Sequence, residues 1–128
     1  MSQSFYEQVY VIVRQIPEGQ VTSYGRIAQM LWSPRASRAV GYALRALKFR
    51  REEPEYQDIP WHRVVNQKGI IRVHEPGATD CLQAELLREE GVSISKELQV
   101  DMKKHLWEGL SSDVIEDLLV DWTEEEEE

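Results

Sequence analysis

The chain has 128 residues, 41% of them hydrophobic, which suits one soluble domain with a single core. Its only cysteine, Cys81, excludes an internal disulfide and a cysteine-rich zinc site, and we expect this thiol to be buried and inert. No segment resembles a membrane span or a secretory leader, so we expect a soluble intracellular protein.

The formal net charge of -8 argues at first against nucleic acid, but the charge is unevenly distributed. The window 21–51 is +7 and contains no acidic residue, so the remainder of the chain is -15. Its basic residues are Arg26, Arg35, Arg38, Arg45, Lys48, Arg50 and Arg51. Such a protein can bind phosphate if the positive charge lies on one face, whereas a solvated basic helix is the alternative.

Two helices are predicted to begin at capping hydroxyl groups. Apolar residues at helical spacing predict a first helix from Phe5 to Ile16, with Ser4 as its N-cap. The run 17–19 (Pro-Glu-Gly) ends it. Thr22 or Ser23 can cap a second helix, at about 24–31.

A third helix is predicted from Ser33-Pro34 to about Lys48, and its junction with the second helix suggests a helix-turn-helix. At 100° per residue it has two opposite faces. The apolar face holds Ala36, Val40, Ala43, Leu44 and Leu47, and the opposite face holds Arg35, Arg38, Tyr42 and Arg45. Gly41 weakens a helix interior, which makes sense if another backbone approaches there.

The sequence of the middle of the chain predicts a polar loop followed by a β-hairpin, with a distinctive six-residue run between them. A polar loop at 49–59 leads into Pro60-Trp61-His62-Arg63-Val64-Val65. Two apolar pairs, 64–65 and 70–71, flank Asn66-Gln67-Lys68-Gly69, which predicts a β-hairpin. A further loop follows at 74–77 and could form the wall of a pocket.

The last third predicts two helices of different character. Thr79 or Asp80 can cap a helix that reaches about Glu90, and Gly91 suits a left-handed end. Val100, Leu106 and Trp107 are expected to close the core. Residues 111–128 form an acidic extension to a domain of residues 1–110: an amphipathic helix followed by five glutamates, which we expect to be disordered.

Two stretches of this chain resemble one protein family. Residues 60–64 resemble the Pro-Cys-His-Arg-Val active-site motif of the O6-alkylguanine-DNA alkyltransferases, and Arg38-Ala39-Val40-Gly41 is similar to their recognition helix. The resemblance spans roughly residues 5–107. Trp61 stands at the cysteine position, as in the non-enzymatic alkyltransferase-like proteins, and an indole cannot accept an alkyl group from a guanine oxygen.

The resemblance implies a mainly α fold with a small β-hairpin, a winged helix-turn-helix-like domain of the alkyltransferase C-terminal type. It implies that Arg38 enters the base stack from the minor groove, although Arg38 could instead contact phosphate. Tyr24 helps the nucleotide to rotate out, or is simply a core tyrosine. The residues implied at the DNA are Tyr24, Arg35, Arg38, Ala39, Gly41, Tyr42 and Arg45.

The resemblance also implies a pocket for the extruded base. Its residues are Tyr24, Trp61, His62, Arg63, Val64, Asn66, His74 and Glu75. Carbonyl groups of Trp61 and Val64 are expected to contact the guanine, His62 and Glu90 to form a structural network, and Asn66 to hold a turn onto the recognition helix. A core tryptophan is the plain alternative for Trp61.

His74 and Glu75 depart from the family's Tyr-Ser: His74 is expected to stack more weakly over the base, and Glu75 places a negative side chain near the pocket mouth. The expected partners are duplex DNA with O6-alkylguanine and nucleotide excision repair proteins. We expect no membrane, no metal and no organic cofactor. A monomer is expected, in the cytoplasm and at the nucleoid if prokaryotic, or in the nucleus if eukaryotic.

Three alternatives stay open. The protein could be an active alkyltransferase that uses another acceptor, with Cys81 as its only thiol. It could be a transcription factor that reads the major groove through Arg35, Tyr42 and Arg45. The acidic extension could dock a repair partner, compete with DNA, or only increase solubility.

Overall fold

The computed structural model describes residues 4–50, 52–71 and 81–127 and has a mainly helical fold, as predicted. The helices are α1 (Phe5–Arg14), α2 (Tyr24–Met30), α3 (Ser37–Ala46), α4 (Leu82–Glu89), α5 (Met102–His105) and α6 (Ser112–Glu127). The strands are β1 (Thr22–Ser23) and β2 (Val64–Val65). Short 3₁₀ helices lie at Leu47–Arg50, Pro54–Tyr56 and Trp61–Arg63.

Both predicted serine caps are confirmed. The Ser4 hydroxyl accepts a hydrogen bond from the Glu7 amide at 3.2 Å, and the Ser23 hydroxyl accepts one from the Arg26 amide at 3.2 Å. Each cap satisfies an amide that has no partner within its helix. The start of the helix-turn-helix is therefore determined by the local sequence.

The third helix has the predicted faces but a later start. The buried side holds Val40 and Ala43, while the predicted polar residues are exposed. The prediction that the helix begins at Ser33-Pro34 is wrong, because α3 begins at Ser37. The Ser33 hydroxyl bonds the Leu31 carbonyl at 3.3 Å and caps no helix, so residues 33–36 form the turn between α2 and α3.

The predicted hairpin is wrong. Strand β2 pairs in parallel with β1, with Thr22 beside Val64 and Ser23 beside Val65. Ile70 instead forms an antiparallel bridge with Gln99. The carboxamide oxygen of Asn66 accepts the amides of Lys68 and Ile70 at 2.9 and 2.8 Å, and this turn directs the chain away from β2.

The apolar interior has two clusters, one on each side of the short sheet. The first joins α1, α2 and α3 and includes Ile12, Ile27 and Val40. The second contains Val21, Val65, Ile71, Ala84, Leu87, Val92 and Val100. Because β2 contributes Val64 to the first and Val65 to the second, the loop before it lies at their junction.

The end of the chain corrects several predictions. Helix α4 ends before Gly91, whose φ of +88° confirms the left-handed end, but Thr79 and Asp80 lie outside the described residues. Val100 and Trp107 are buried as predicted, whereas Leu106 is 39% exposed.

Helix α6 continues through the first four glutamates to Glu127, where disorder was predicted. Ile115 anchors it in the first cluster, and glutamate is a good helix former. The boundary at 110/111 stays a prediction. Every helix in the described part of the chain is too short or too polar to span a bilayer.

Candidate nucleic-acid interface

The outer side of α3 and the turn before it present what we call the arginine face: Arg38, Tyr42 and Arg45 on the helix and Arg35 in the turn, all of them exposed. No described residue forms an ion pair with these arginines. A guanidinium in water and without an intramolecular partner can contact phosphate or stack on a base. The arginine face is therefore the cationic surface that the sequence predicted.

Two other basic residues of the 21–51 window do not contribute to this face. The Arg26 Nη2 donates to the carbonyls of Trp107 and Glu108, each at 3.1 Å, and so holds the C-terminal segment against α2. Arg50 lies over the ring of Tyr56 at 4.8 Å and 3.8 Å from a Glu7 oxygen. The sequence could not show this, because each contact is made with a distant part of the chain.

Among the described residues, no other segment of this protein approaches Gly41, so the predicted approach of another backbone is not made within this part of the chain. A Cβ atom built at Gly41 has no described atom within 4 Å once its chain neighbours and the backbone of its own helix are set aside. Gly41 and Ala39 are half-buried in α3, beside the arginine face. The missing side chain leaves open space there, which an external backbone could enter.

The loop of residues 60–65, which we call the Trp61 loop, presents an indole that is only half-buried. The Trp61 ring packs against the first apolar cluster and meets the His62 ring edge-on, with centroids 5.9 Å apart and planes at 82°. The Trp61 amide donates to the Ile59 carbonyl at 2.8 Å, and its carbonyl accepts from the Val64 amide. The indole is therefore held firmly while part of its surface meets solvent.

A charged network fixes the Trp61 loop to the end of α4. Glu90 accepts the His62 Nε2 at 2.7 Å, the Arg63 Nη2 at 2.8 Å and the Gly19 amide at 3.1 Å. Burial opposes ionisation of Glu90, but the hydrogen bonds from Arg63, His62 and Gly19 outweigh it and lower the pKa to about 2. This confirms the structural network predicted for His62 and Glu90.

The resemblance predicts that Arg63 lies in the pocket, but its guanidinium forms hydrogen bonds within the protein. Besides Glu90, it donates from Nη1 to the Ile16 carbonyl at 2.8 Å. Asn66 holds a turn as predicted. Among the described residues, its carboxamide oxygen bonds only the amides of Lys68 and Ile70, and none of its hydrogen bonds reaches α3.

Gln83 is a residue at this site that the sequence did not reveal. Its Nε2 donates to the Val64 carbonyl at 2.8 Å and to the His62 carbonyl at 3.1 Å. The Val64 carbonyl is one of the two that the resemblance assigns to guanine. A glutamine on a helix carries no pattern from which these bonds could be predicted.

The remaining predicted residues have mixed outcomes. Tyr24 is half-buried at the start of α2 and packs against the first cluster. Cys81 is half-buried at the N-cap of α4, so the prediction that it is buried is wrong. His74 and Glu75 lie outside the described residues. Among the described residues, no group of three or more His, Cys, Asp and Glu side chains could hold a metal ion.

Comparison with known proteins gives consistent matches. Residues 4–92 match the family model of the 6-O-methylguanine DNA methyltransferase DNA-binding domain. The chain is 43% identical over 104 residues to the DNA base-flipping protein of Escherichia coli, covering 81% of this chain and 74% of the relative. It is 36% identical over 107 residues to alkyltransferase-like protein 1 of Schizosaccharomyces pombe, covering 80% of this chain and 94% of the relative.

Solved structures agree. The fold matches S. pombe Atl1 in complex with damaged DNA containing O6-carboxymethylguanine, with a TM-score of 0.69, 36% identity, and coverage of 81% of this chain and 94% of Atl1. The O6-methylguanine methyltransferase of Mycobacterium tuberculosis matches with a TM-score of 0.52 and 30% identity, covering 70% of this chain and 50% of that protein. The chain therefore belongs to the alkyltransferase-like family, which shares the DNA-binding domain of the O6-methylguanine methyltransferases.

Proposed function

We propose that this protein binds double-stranded DNA that contains O6-alkylguanine, rotates the damaged nucleotide towards the Trp61 loop, and does not transfer the alkyl group. The observation that carries the proposal is Trp61, a half-buried indole at the motif position where the methyltransferases have their cysteine. The complex of the related S. pombe protein with alkylated DNA supports it.

The arginine face supplies the contact with DNA in this proposal. Arg38 is exposed near the start of α3, so its guanidinium can enter the minor groove and fill the space of the extruded base. Gly41 leaves room for close approach of the DNA backbone. Extrusion costs a few kcal/mol, and it costs less for a weakly paired alkylguanine, which favours the damaged site.

The absence of alkyl transfer follows from the chemistry of the Trp61 loop. Alkyl transfer needs a thiolate and a base that activates it. At the motif position there is an indole, and the neighbouring His62 is hydrogen-bonded to Glu90. Cys81 packs against the second apolar cluster, whereas Trp61 packs against the first.

We further propose that the stable complex, formed by one copy of the protein, recruits nucleotide excision repair.

Binding measurements test the proposal. We expect the protein to bind an O6-methylguanine duplex more tightly than the matched guanine duplex. Arg38→Ala should weaken lesion binding at least about tenfold, equivalent to 1.4 kcal/mol. Arg88→Ala, which removes an exposed arginine from α4, serves as the control and should leave binding unchanged. Equal affinity of the wild type for both duplexes overturns the proposal.

Intact-mass measurement after incubation with alkylated DNA tests the second half of the proposal. The expected mass is that of the unmodified chain. A gain of one alkyl group on Cys81 contradicts the non-enzymatic assignment and supports an alkyltransferase with an unusual acceptor.

A further inference from the structure

One side-chain amide connects α4 to the backbone of the Trp61 loop. The NH₂ group of Gln83 has two hydrogens, and the structure gives each an acceptor, the carbonyls of His62 at 3.1 Å and Val64 at 2.8 Å. Gln83 is half-buried, so these bonds are partly shielded from water. His62 follows Trp61 directly in the chain, and Val64 comes two residues after His62.

Helix α4 therefore holds the Trp61 loop at two points. Gln83 and Glu90 are seven residues apart, which places them on the same side of the helix, two turns from each other. Glu90 binds the side chains of His62 and Arg63. Within the described part of the chain, Gln83 binds only main-chain oxygens. Loss of Gln83 leaves the charged network in place, so the loop stays attached to α4 and the fold is retained.

The two attachments control different features of the Trp61 loop. The bonds to Glu90 are made by the side chains of His62 and Arg63 and do not involve the carbonyl groups of His62 and Val64. The amide of Gln83 fixes the planes whose oxygens belong to His62 and Val64. Those planes belong to the backbone that follows Trp61 and carry the polar edge of the Trp61 loop.

We propose that Gln83 is a positioning residue for lesion recognition. By donating to both carbonyls it holds the Trp61 loop in the conformation that receives an extruded base. This inference rests on the proposed function. We infer that the two hydrogen-bond donors of Gln83, rather than the shape of its side chain, position the loop. Their loss should reduce discrimination between damaged and undamaged DNA.

Four variants separate these features. Gln83→Leu keeps the approximate size but removes both donors, and Gln83→Glu places a carboxylate against two carbonyl oxygens. Gln83→Lys supplies donors again from a long side chain. Gln99→Leu is the matched control, since the Gln99 amide also donates to a backbone carbonyl, that of Lys68 at 3.0 Å, outside the Trp61 loop.

The readout is the ratio of affinities for an O6-methylguanine duplex and the matched guanine duplex, measured alongside thermal unfolding. We expect Gln83→Leu and Gln83→Glu to lower this ratio about tenfold, which corresponds to 1.4 kcal/mol. Gln83→Lys should restore it to within about threefold, and Gln99→Leu should not change it. Affinity for the undamaged duplex should be retained, because the arginine face is unchanged.

Two outcomes overturn the inference. The first is a Gln83→Leu variant with the same affinity ratio as the wild type. The second is a Gln83→Leu variant that is less stable and loses affinity equally for both duplexes, which indicates that the side chain is only structural. A ratio of one in the wild type is a different result: it refutes the proposed function itself, and the role of Gln83 falls with it. Retention of the ratio in Gln83→Leu alone leaves the proposed function intact.

Discussion

At the scale of single residues, an indole at position 61 limits what the neighbouring side chains can do. A histidine and a carboxylate beside a thiol can move a proton, but Trp61 offers them no ionisable group. In this protein, Glu90 is instead surrounded by donors from Arg63, His62 and Gly19. In this structure, His62 and Glu90 fasten the Trp61 loop to the end of α4.

Glu90→Gln tests the structural role of this network. The amide keeps the size of the side chain but leaves the Arg63 charge without its partner in a site where Glu90 is only 11% exposed. We expect a loss of about 3 kcal/mol in the free energy of unfolding at pH 7, measured with urea. Glu89→Gln, on an exposed neighbour, should change this free energy by less than about 0.5 kcal/mol.

The same network predicts a dependence of stability on pH. Because the folded pKa of Glu90 is lowered from 4.5 to about 2, its contribution is fully present above pH 4.5 and is lost as the pH falls towards 2. Unfolding measured between pH 7 and pH 3 should therefore show a steeper loss for the wild type than for Glu90→Gln. Parallel pH profiles would contradict the assignment of the shift to Glu90.

At the scale of elements, local signals in the sequence predict the helices well. Ser4 and Ser23 cap α1 and α2 because an N-cap needs only the next three residues. The two faces of α3 follow from helical periodicity, and the arginine face is exposed as expected. The motif around Trp61 also led to the correct family, because it is a short and continuous stretch of the chain.

Features that depend on distant contacts could not be predicted. Strand β2 had an equally plausible local partner at 70–71, and its pairing with β1 bridges about forty residues. The bonds from Gln83 and the use of Arg26 and Arg63 inside the protein come from other segments. Sequence patterns indicated which residues are polar, but they did not distinguish those that stay exposed at the surface from those that fasten the fold.

The turn between α2 and α3 has an unusual residue at the end of a helix. The Ser33 amide donates to the Ala28 carbonyl at 2.9 Å and the Trp32 amide to the Gln29 carbonyl at 3.0 Å, which is a Schellman motif. Trp32 occupies its left-handed position, usually held by glycine, with a φ of +55°. Its side chain is 54% exposed, so burial offsets only part of the backbone strain.

Substitution at Trp32 measures this strain. Glycine and alanine both remove the indole, but only glycine relieves the left-handed backbone, so Trp32→Gly should be more stable than Trp32→Ala by about 1 kcal/mol. The same pair at Gln29, an exposed position within α2, should show the reverse order by a similar amount. Chemical denaturation of the four variants tests this, and a more stable Trp32→Ala would exclude strain at the turn.

At the scale of the whole molecule, an acidic protein presents a small cationic surface. The net charge is -8, yet Arg35, Arg38 and Arg45 are exposed and have no ion-pair partner among the described residues. Helix α6 adds exposed acids, among them Glu116 and Asp117, and its Ile115 is anchored in the first cluster. The arginine face therefore acts within a field of opposite sign, which lowers the affinity for any DNA.

Neutralising Glu116 and Asp117 tests this effect without unfolding α6, because Ile115 keeps its place. At about 10 mM salt the screening length is about 30 Å, so Glu116→Gln with Asp117→Asn should raise the affinity for both duplexes about threefold. The gain should disappear at about 1 M salt, where the screening length is about 3 Å. The preference for the lesion should not change, because we propose that it arises at the Trp61 loop.

The matched control neutralises two exposed acids of α4, Glu85 and Glu89, with glutamine. An equal gain from this pair assigns the effect to net charge, whereas a larger gain from the α6 pair indicates that the acidic helix lies close to the path of the DNA. Unchanged affinity at low salt in both pairs contradicts electrostatic opposition altogether and leaves α6 as an extension that stabilises the first cluster through Ile115.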